Sequence, residues 1–157
     1  MPPVNVIDRV KETIAKASKP KPKHNIAVFI DGPNILRKEL GIDLKEVKEL
    51  IGKFGTIKIG KVFLNQYANN KLIEAVVNQG FESIITVGDI DVSMAADAVE
   101  AVYNPSINAI AFVTRDSDFL PAIVKAKRAG KETIVVLAEE ASSAALKNNA
   151  DHVIVLK

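Results

Sequence analysis

The chain has no cysteine, no tryptophan and only two histidines. The first absence excludes disulfides, thiolate metal sites and thiol nucleophiles together. It suits an intracellular protein, and a cytoplasmic one is expected. Aromatic residues make up 5% of the chain, which argues against base-stacking platforms as its main device. No apolar run approaches the roughly 18–20 residues of a membrane span, and no secretion-type apolar segment opens the sequence, so no membrane partner is expected. The net charge of +2 neither requires nor refuses a polyanion; the placement of charge decides more than its sum.

What is present reads as one domain with a short appendage. At 157 residues the chain can bury roughly 68–70% of its unfolded surface, so it needs no staples. Residues 4–17 place Val6, Ile7, Val10, Ile14 and Ala17 at steps of three and four, an amphipathic helix stripe that must pack on the domain or on a partner. Assembly of copies through this stripe is one expectation. Lys19 to His24 reads KPKPKH, a proline-alternating basic linker. It serves as a solvated tether or as a contact for a polyanion. Residues 1–24 are thus set apart from a domain over 25–157.

From Ile26 the chain alternates apolar strands with helices. Strands are expected at Ile26–Ile30, Thr56–Leu64, Glu82–Val87, Ile107–Val113 and Thr133–Leu137, with a short sixth at His152–Leu156. Helices are expected at Asn34–Leu40, Leu44–Gly52 capped by Asp43, and from Asn69 or Asn70 to about Gln79. Further helices are expected at Asp91–Tyr103, Leu120–Ala129 and Ser142–Asn149. Near-continuous apolar strands separated by helices argue for a parallel sheet covered on both faces.

Two strand ends carry acids. Asp31-Gly32-Pro33-Asn34 follows the first strand, and Thr114-Arg115-Asp116-Ser117-Asp118-Phe119 follows the fourth. Ligands of open α/β sheets bind at that carboxyl edge. Asp89, Asp91 and Asp97 lie after strand three and in the next helix. Asp91 and Asp97 are six apart, which is not one face of a 3.6-residue helix, so one of them can point elsewhere. Asp89 reads as a turn residue. Any single Asp can be a helix cap or turn residue; Asp31 and Asp116 together, both directly after apolar strands, argue for a site. Clustered carboxylates repel and raise each other's pKa. Oxygen-only donors suit a hard cation, Mg²⁺ or Mn²⁺, and such an ion lowers the pKa of water beside a phosphate. Neither His24 nor His152 falls in this pattern, so metal-activated water rather than a histidine base is the expected route to a nucleophile.

The neighbouring residues each have two readings. Asn34 can orient Asp31 or contact a phosphate oxygen, or cap a helix. Gly32 permits a tight turn. Ser117 is expected to cap the following helix, and no base partner makes it a nucleophile. Thr114 can hold a phosphate or simply end a strand. Arg37, Lys38 and Arg115 suit phosphate binding, though surface lysines and arginines are usually only solvated.

With these residues in view, the chain resembles the NYN domain family, the PIN-like nucleases that include LabA-like bacterial and archaeal proteins. The resemblance spans about Asn25 to Lys157. It rests on the Asp31-Gly32-Pro33-Asn34 turn, on Asp91-Val92-Ser93-Met94-Ala95-Ala96-Asp97, and on Thr114 to Phe119 followed by Leu120-Pro121 and Gly130-Lys131. It implies a PIN-like, Rossmann-type three-layer α/β/α sandwich with a mostly parallel sheet. It implies a metal-dependent endoribonuclease site of Asp31, Asp91 or Asp97, Asp116 and Asp118, supported by Asn34. Asp31 and Asp116 would be direct ligands; Asp91, Asp97 and Asp118 would complete the site directly or through water. Arg37, Lys38, Thr114, Arg115 and Ser117 would contact RNA. Many members carry a Lys-Gly pair before the acid matching Asp91, where this chain has Val87-Gly88-Asp89-Ile90.

Two function classes follow. The first is a Mg²⁺- or Mn²⁺-dependent ribonuclease cleaving phosphodiesters. The second is an RNA- or nucleotide-binding module whose acidic site holds a metal but turns over weakly. An aspartyl-phosphate phosphatase would need an Asp two residues after Asp31, and Pro33 stands there.

Overall fold

A computed structural model of the chain describes residues 24–36, 43–114, 119–138 and 144–156. It contains six strands, β1 (His24–Asp31), β2 (Gly55–Asn65), β3 (Glu82–Thr86), β4 (Ala109–Thr114), β5 (Glu132–Leu137) and β6 (His152–Val155). The helices are α1 (Gly32–Ile35), α2 (Leu44–Gly52), α3 (Asn70–Asn78), α4 (Ile90–Val102), α5 (Leu120–Arg128) and α6 (Ala144–Asn149). The expected N-terminal helix over 4–17, the expected Lys19–His24 linker except His24, which instead opens β1, and the second half of the expected Asn34–Leu40 helix lie outside the described residues. Among the described residues no helix is long and apolar enough to cross a membrane.

All neighbouring strands are parallel, and the sheet order is β3-β2-β1-β4-β5-β6. Alternation along the strands sorts side chains to two faces. Ile26, Val28 and Ile30 of β1, with Ala109, Ala111 and Val113 of β4, face a core shared with Ile35, Val47, Ile51 and Val76 of α1 to α3. Ala27 and Phe29, with Ile110 and Phe112, face a second core shared with Met94, Ala98, Ile123 and Leu146 of α4 to α6. The result is three layers, helices on both sides of one sheet, and each helix buries the stripe its sequence period offers.

Three helix starts follow local capping chemistry. Asp43 accepts a hydrogen bond from the Lys45 backbone N–H at 2.9 Å, and Asn69 accepts one from the Leu72 N–H at 2.8 Å. Asp89, expected as a turn residue, caps α4 by accepting from the Asp91 N–H at 3.1 Å, so α4 opens at Ile90 rather than Asp91. Phe119 directly precedes α5 and gives it no side-chain cap; Ser117, expected to cap this helix, lies outside the described residues. Strand β4 begins two residues later than expected. Ile107 is held in a turn by its N–H to the Asn104 carbonyl at 3.1 Å and by the Lys131 Nζ on its own carbonyl at 2.6 Å. The short helix after β1 begins at Gly32 instead of Asn34, closed by the Leu36 N–H on the Gly32 carbonyl at 2.8 Å. Pro33 fits its first turn because no intrahelical partner awaits its nitrogen.

Gly32 sits where backbone meets backbone. A Cβ there would lie 2.6 Å from the Phe63 carbonyl oxygen and 2.6 Å from Leu64 Cδ2. Gly32→Ala is therefore expected to cost about 1–3 kcal/mol, the range for overpacking, and to lower Tm by several degrees. Gly52→Ala, at the end of α2 with nothing within 4 Å of its added Cβ, is expected to be neutral or to gain up to about 1 kcal/mol from helix propensity. Thermal unfolding of the two variants beside the parent chain checks both signs.

Candidate metal and nucleic-acid site

The strand order reverses direction between β1 and β4. From β1 the chain moves outward to β2 and β3, then returns across the sheet to β4 and moves outward the other way. The connections leaving β1 and β4 therefore diverge to opposite faces and leave a crevice at their carboxyl ends. Asp31 ends β1 and Thr114 ends β4. The register between β1 and β4 ends with Ile30 opposite Val113, and one further step sets Asp31 beside Thr114. Both are buried, Asp31 to 1% exposure. A carboxylate taken this far from water needs compensation by hydrogen bonds or a cation, so its placement is a chemical commitment.

By alternation Asp31 and Thr114 belong to the α4–α5 face, above a row of phenylalanines. Phe29 lies 6.5 Å from Phe63 and 6.0 Å from Phe112, and Phe112 lies 5.7 Å from Phe119, centroid to centroid. Four of the six phenylalanines thus form the floor under the crevice. The scarce aromatics are spent on rigidity here, and such packing fixes the strand ends to which the acids are attached.

The remaining expected residues fall into three groups. Asp91, half-buried, lies in the first turn of α4, the helix end nearest the carboxyl edge of the sheet. Asp97 lies two turns further on and pairs with Lys61 of β2, Nζ to Oδ2 at 3.2 Å. The structure thus separates the two α4 acids along the helix, and Asp97 has a cation of its own. Asn34 lies in α1 one residue past Pro33; its side chain is not among those described. Arg37, Lys38, Arg115, Asp116, Ser117 and Asp118 lie outside the described residues. Asp116 and Asp118 belong to the four-residue connection 115–118 that leaves Thr114. Among the described residues no three acidic or histidine side chains group closely enough to hold a metal. The donor chemistry nevertheless fits a hard cation: Asp31 and Asp91 offer oxygen, and both described histidines are remote. His24 opens β1 and His152 opens β6, at the opposite edge of the sheet, where His152 Nε2 lies 2.8 Å from Glu132 Oε1.

One surface feature escaped sequence reasoning. Tyr67 is 82% exposed just beyond the carboxyl end of β2, the strand beside β1. Asn65 fixes it there: its Oδ1 accepts from the Tyr67 N–H at 3.0 Å, and its carbonyl accepts from the Ala68 N–H at 3.1 Å. A lone tyrosine in a polar turn has no periodicity to betray it; the Asn-x-Tyr turn directly after an apolar strand was the available signal. Gly130-Lys131, by contrast, is structural. Gly130 has φ +81° after α5, and the Lys131 Nζ holds the carbonyls of Asn104 at 3.0 Å and Ile107 at 2.6 Å.

Comparison with known proteins agrees with this architecture. The family model described as NYN domain matches residues 25–157. The chain belongs to the NYN domain family. NYN domains have a PIN-like nuclease fold. An uncharacterised protein of Methanocaldococcus jannaschii is 61% identical over 139 residues, covering 88% of this chain and 58% of the relative. The chain thus spans less than two thirds of that relative's length. A crystal structure of a protein of unknown function from Vibrio parahaemolyticus superposes with a TM-score of 0.76 at 19% identity, over 86% of this chain and 94% of that one. That likeness establishes the fold and leaves the chemistry to the NYN site itself.

An ion held at the crevice would be linked to folding stability. Mn²⁺ at about 100 times its Kd is expected to stabilise the chain by about 2.7 kcal/mol, and Asp31→Asn to remove most of that gain. Thermal unfolding with and without Mn²⁺ reads it, each variant being compared with its own metal-free state.

Proposed function

We propose that the chain is a Mg²⁺- or Mn²⁺-dependent ribonuclease that hydrolyses RNA phosphodiester bonds. The observation that carries this reading is Asp31, 1% exposed at the strand-order reversal and one register step from Thr114. The connection bearing Asp116 and Asp118 departs from that same point. Asp31 and Asp116 would hold the ion, with Asp91, Asp97 and Asp118 completing the set directly or through water. Bound there, a hard divalent ion neutralises phosphate charge and acidifies water.

The protein's own residues do the rest. Asn34 and Thr114 orient the carboxylate and the scissile phosphate through their amide and hydroxyl groups. Arg37, Lys38, Arg115 and Ser117 contact neighbouring phosphates, which position RNA without reading its sequence. Tyr67 offers a base-stacking face beside the crevice, a contact worth about 1–3 kcal/mol per base. With both histidines at the far edge, no imidazole competes for the role of general base, so proton removal would fall to the carboxylates.

A second reading has one specific observation behind it. Val87, 79% exposed before Gly88, stands where many NYN members carry lysine, so a phosphate cation is lacking. That would suit an RNA- or nucleotide-binding module with weak turnover.

The deciding experiment is cleavage of a mixed, end-labelled RNA pool with Mn²⁺ or Mg²⁺, against EDTA and against folded Asp31→Asn and Asp116→Asn proteins. The expected result is metal-dependent cutting that drops on the order of a hundredfold or more in each variant. Tyr67→Ala is expected to weaken RNA binding about tenfold while leaving metal affinity unchanged. Metal and RNA binding without cutting would select the binding module. Cutting that survives in both Asp variants would remove the proposed site.

A further inference from the structure

Helix α4 is apolar on two opposite sides. Met94, Ala98, Ala101 and Val102 are buried against the sheet. On the reverse side Val92, Ala96, Val99 and Tyr103 recur at steps of four, three and four, and Val92 and Tyr103 are 65% and 66% exposed. A helix with one wet side normally carries polar residues there; apolar positions all round belong to a helix covered on both sides. Steps of three and four also form the seam by which one helix packs on another.

The chain contains a segment that matches this seam. Ile7, Val10, Ile14 and Ala17 recur at three, four and three within residues 4–17. As a helix those 14 residues would be about 21 Å long, against about 20 Å for the 13 residues of α4. The tether is in the right place. The segment joins β1 at His24, and Asn25 is bound to the turn that follows α4: its N–H to Asn108 Oδ1 at 2.8 Å, its Nδ2 to the Ser106 carbonyl at 3.0 Å. Residues 18–23 can span up to about 20 Å, enough to bring Ala17 to the Tyr103 end of α4.

Charge points the same way. Residues 1–23 carry six basic and two acidic side chains, a net +4. Residues 89–103 carry Asp89, Asp91, Asp97 and Glu100 with no basic residue, a net −4 that falls to −3 once the Lys61–Asp97 pair is counted. A second copy of α4 would meet this surface with like charges, whereas the basic segment is complementary.

We propose that residues 4–17 form a helix docked on the outer face of α4 of the same chain. The two helices run parallel, with Ile7 near Val92, Val10 near Ala96, Ile14 near Val99 and Ala17 near Tyr103. The segment then covers the exposed side of the helix whose first turn bears Asp91. This assignment stands apart from the nuclease reading and is tested without any activity measurement.

Hydrogen–deuterium exchange on the full chain tests it, with size-exclusion chromatography at two concentrations. Two double variants are compared: Val92→Lys/Ala96→Lys on the exposed seam, and Val10→Asp/Ile14→Asp on the segment, outside the domain core. Amides of residues 7–17 are expected to exchange at least about tenfold more slowly in the monomeric parent than in either variant. Exchange at unprotected rates in the parent would overturn the docking, as would protection that survives Val92→Lys/Ala96→Lys in a folded domain. Protection that appears only with a doubled mass, rising with concentration, would also overturn it, because the segment would then cover a second copy. Should the seam variant unfold, the segment variant decides: protection retained there contradicts the seam.

Discussion

Strand β1 lies between β2 and β4, and parallel pairing on both sides constrains everything else in the molecule. A parallel neighbour can be reached only by a crossover. The crossovers that build β2 and β3 pack α2 and α3 on one face, and those that build β5 and β6 pack α5 and α6 on the other. The reversal between β1 and β4 is the unavoidable product of that arrangement, and it opens the crevice where Asp31 and Thr114 end their strands. Asp31 closes one buried apolar strand, and Asp116 follows the other after Thr114 and Arg115.

Rigidity at that point comes from apolar packing. The phenylalanine row ties β2, β1, β4 and the start of α5 into one floor, and Gly32 lets the turn after Asp31 lie against the β2 backbone. A site for a small, highly charged ion depends on such immobility, because ligand oxygens must be held against their mutual repulsion. The opposite edge of the sheet is stapled by different means, through Lys131 on two loop carbonyls and Asp151 accepting from the Thr133 N–H at 2.8 Å and hydroxyl at 2.9 Å. Chemistry and fold maintenance are thus separated by the length of the strands.

Much of this was legible in the sequence because the signals are local. Apolar runs bounded by Asp43, Asn69 and the glycines after α3 and α5 place helices and strands within a residue or two, and alternation of the two kinds of element dictates a parallel sheet. Asp31 stood out only together with Asp116, because both follow apolar strands. What was not legible depends on distant partners or competing local choices. Lys61 and Asp97 are 36 positions apart, so nothing near Asp97 announced its ion pair. Asp89 reads as a turn residue in the sequence, and only the backbone geometry shows it capping α4. Ile107 continued an apolar run, yet Lys131, 24 residues later, holds it in a turn. Tyr67 carried no pattern until the β2 end was located beside the crevice.

The proposed function requires that the carboxyl ends of β1 and β4 form a single oxygen-donor site for a divalent ion. Anomalous diffraction at the manganese absorption edge, from crystals of the full chain grown with Mn²⁺, tests it directly. The predicted result is a strong peak within ligand distance of the Asp31 carboxylate, at the crevice between β1 and β4, and its absence in Asp31→Asn crystals. Mn²⁺ bound only elsewhere on the molecule, with the Asp31 carboxylate holding none, would contradict the claim.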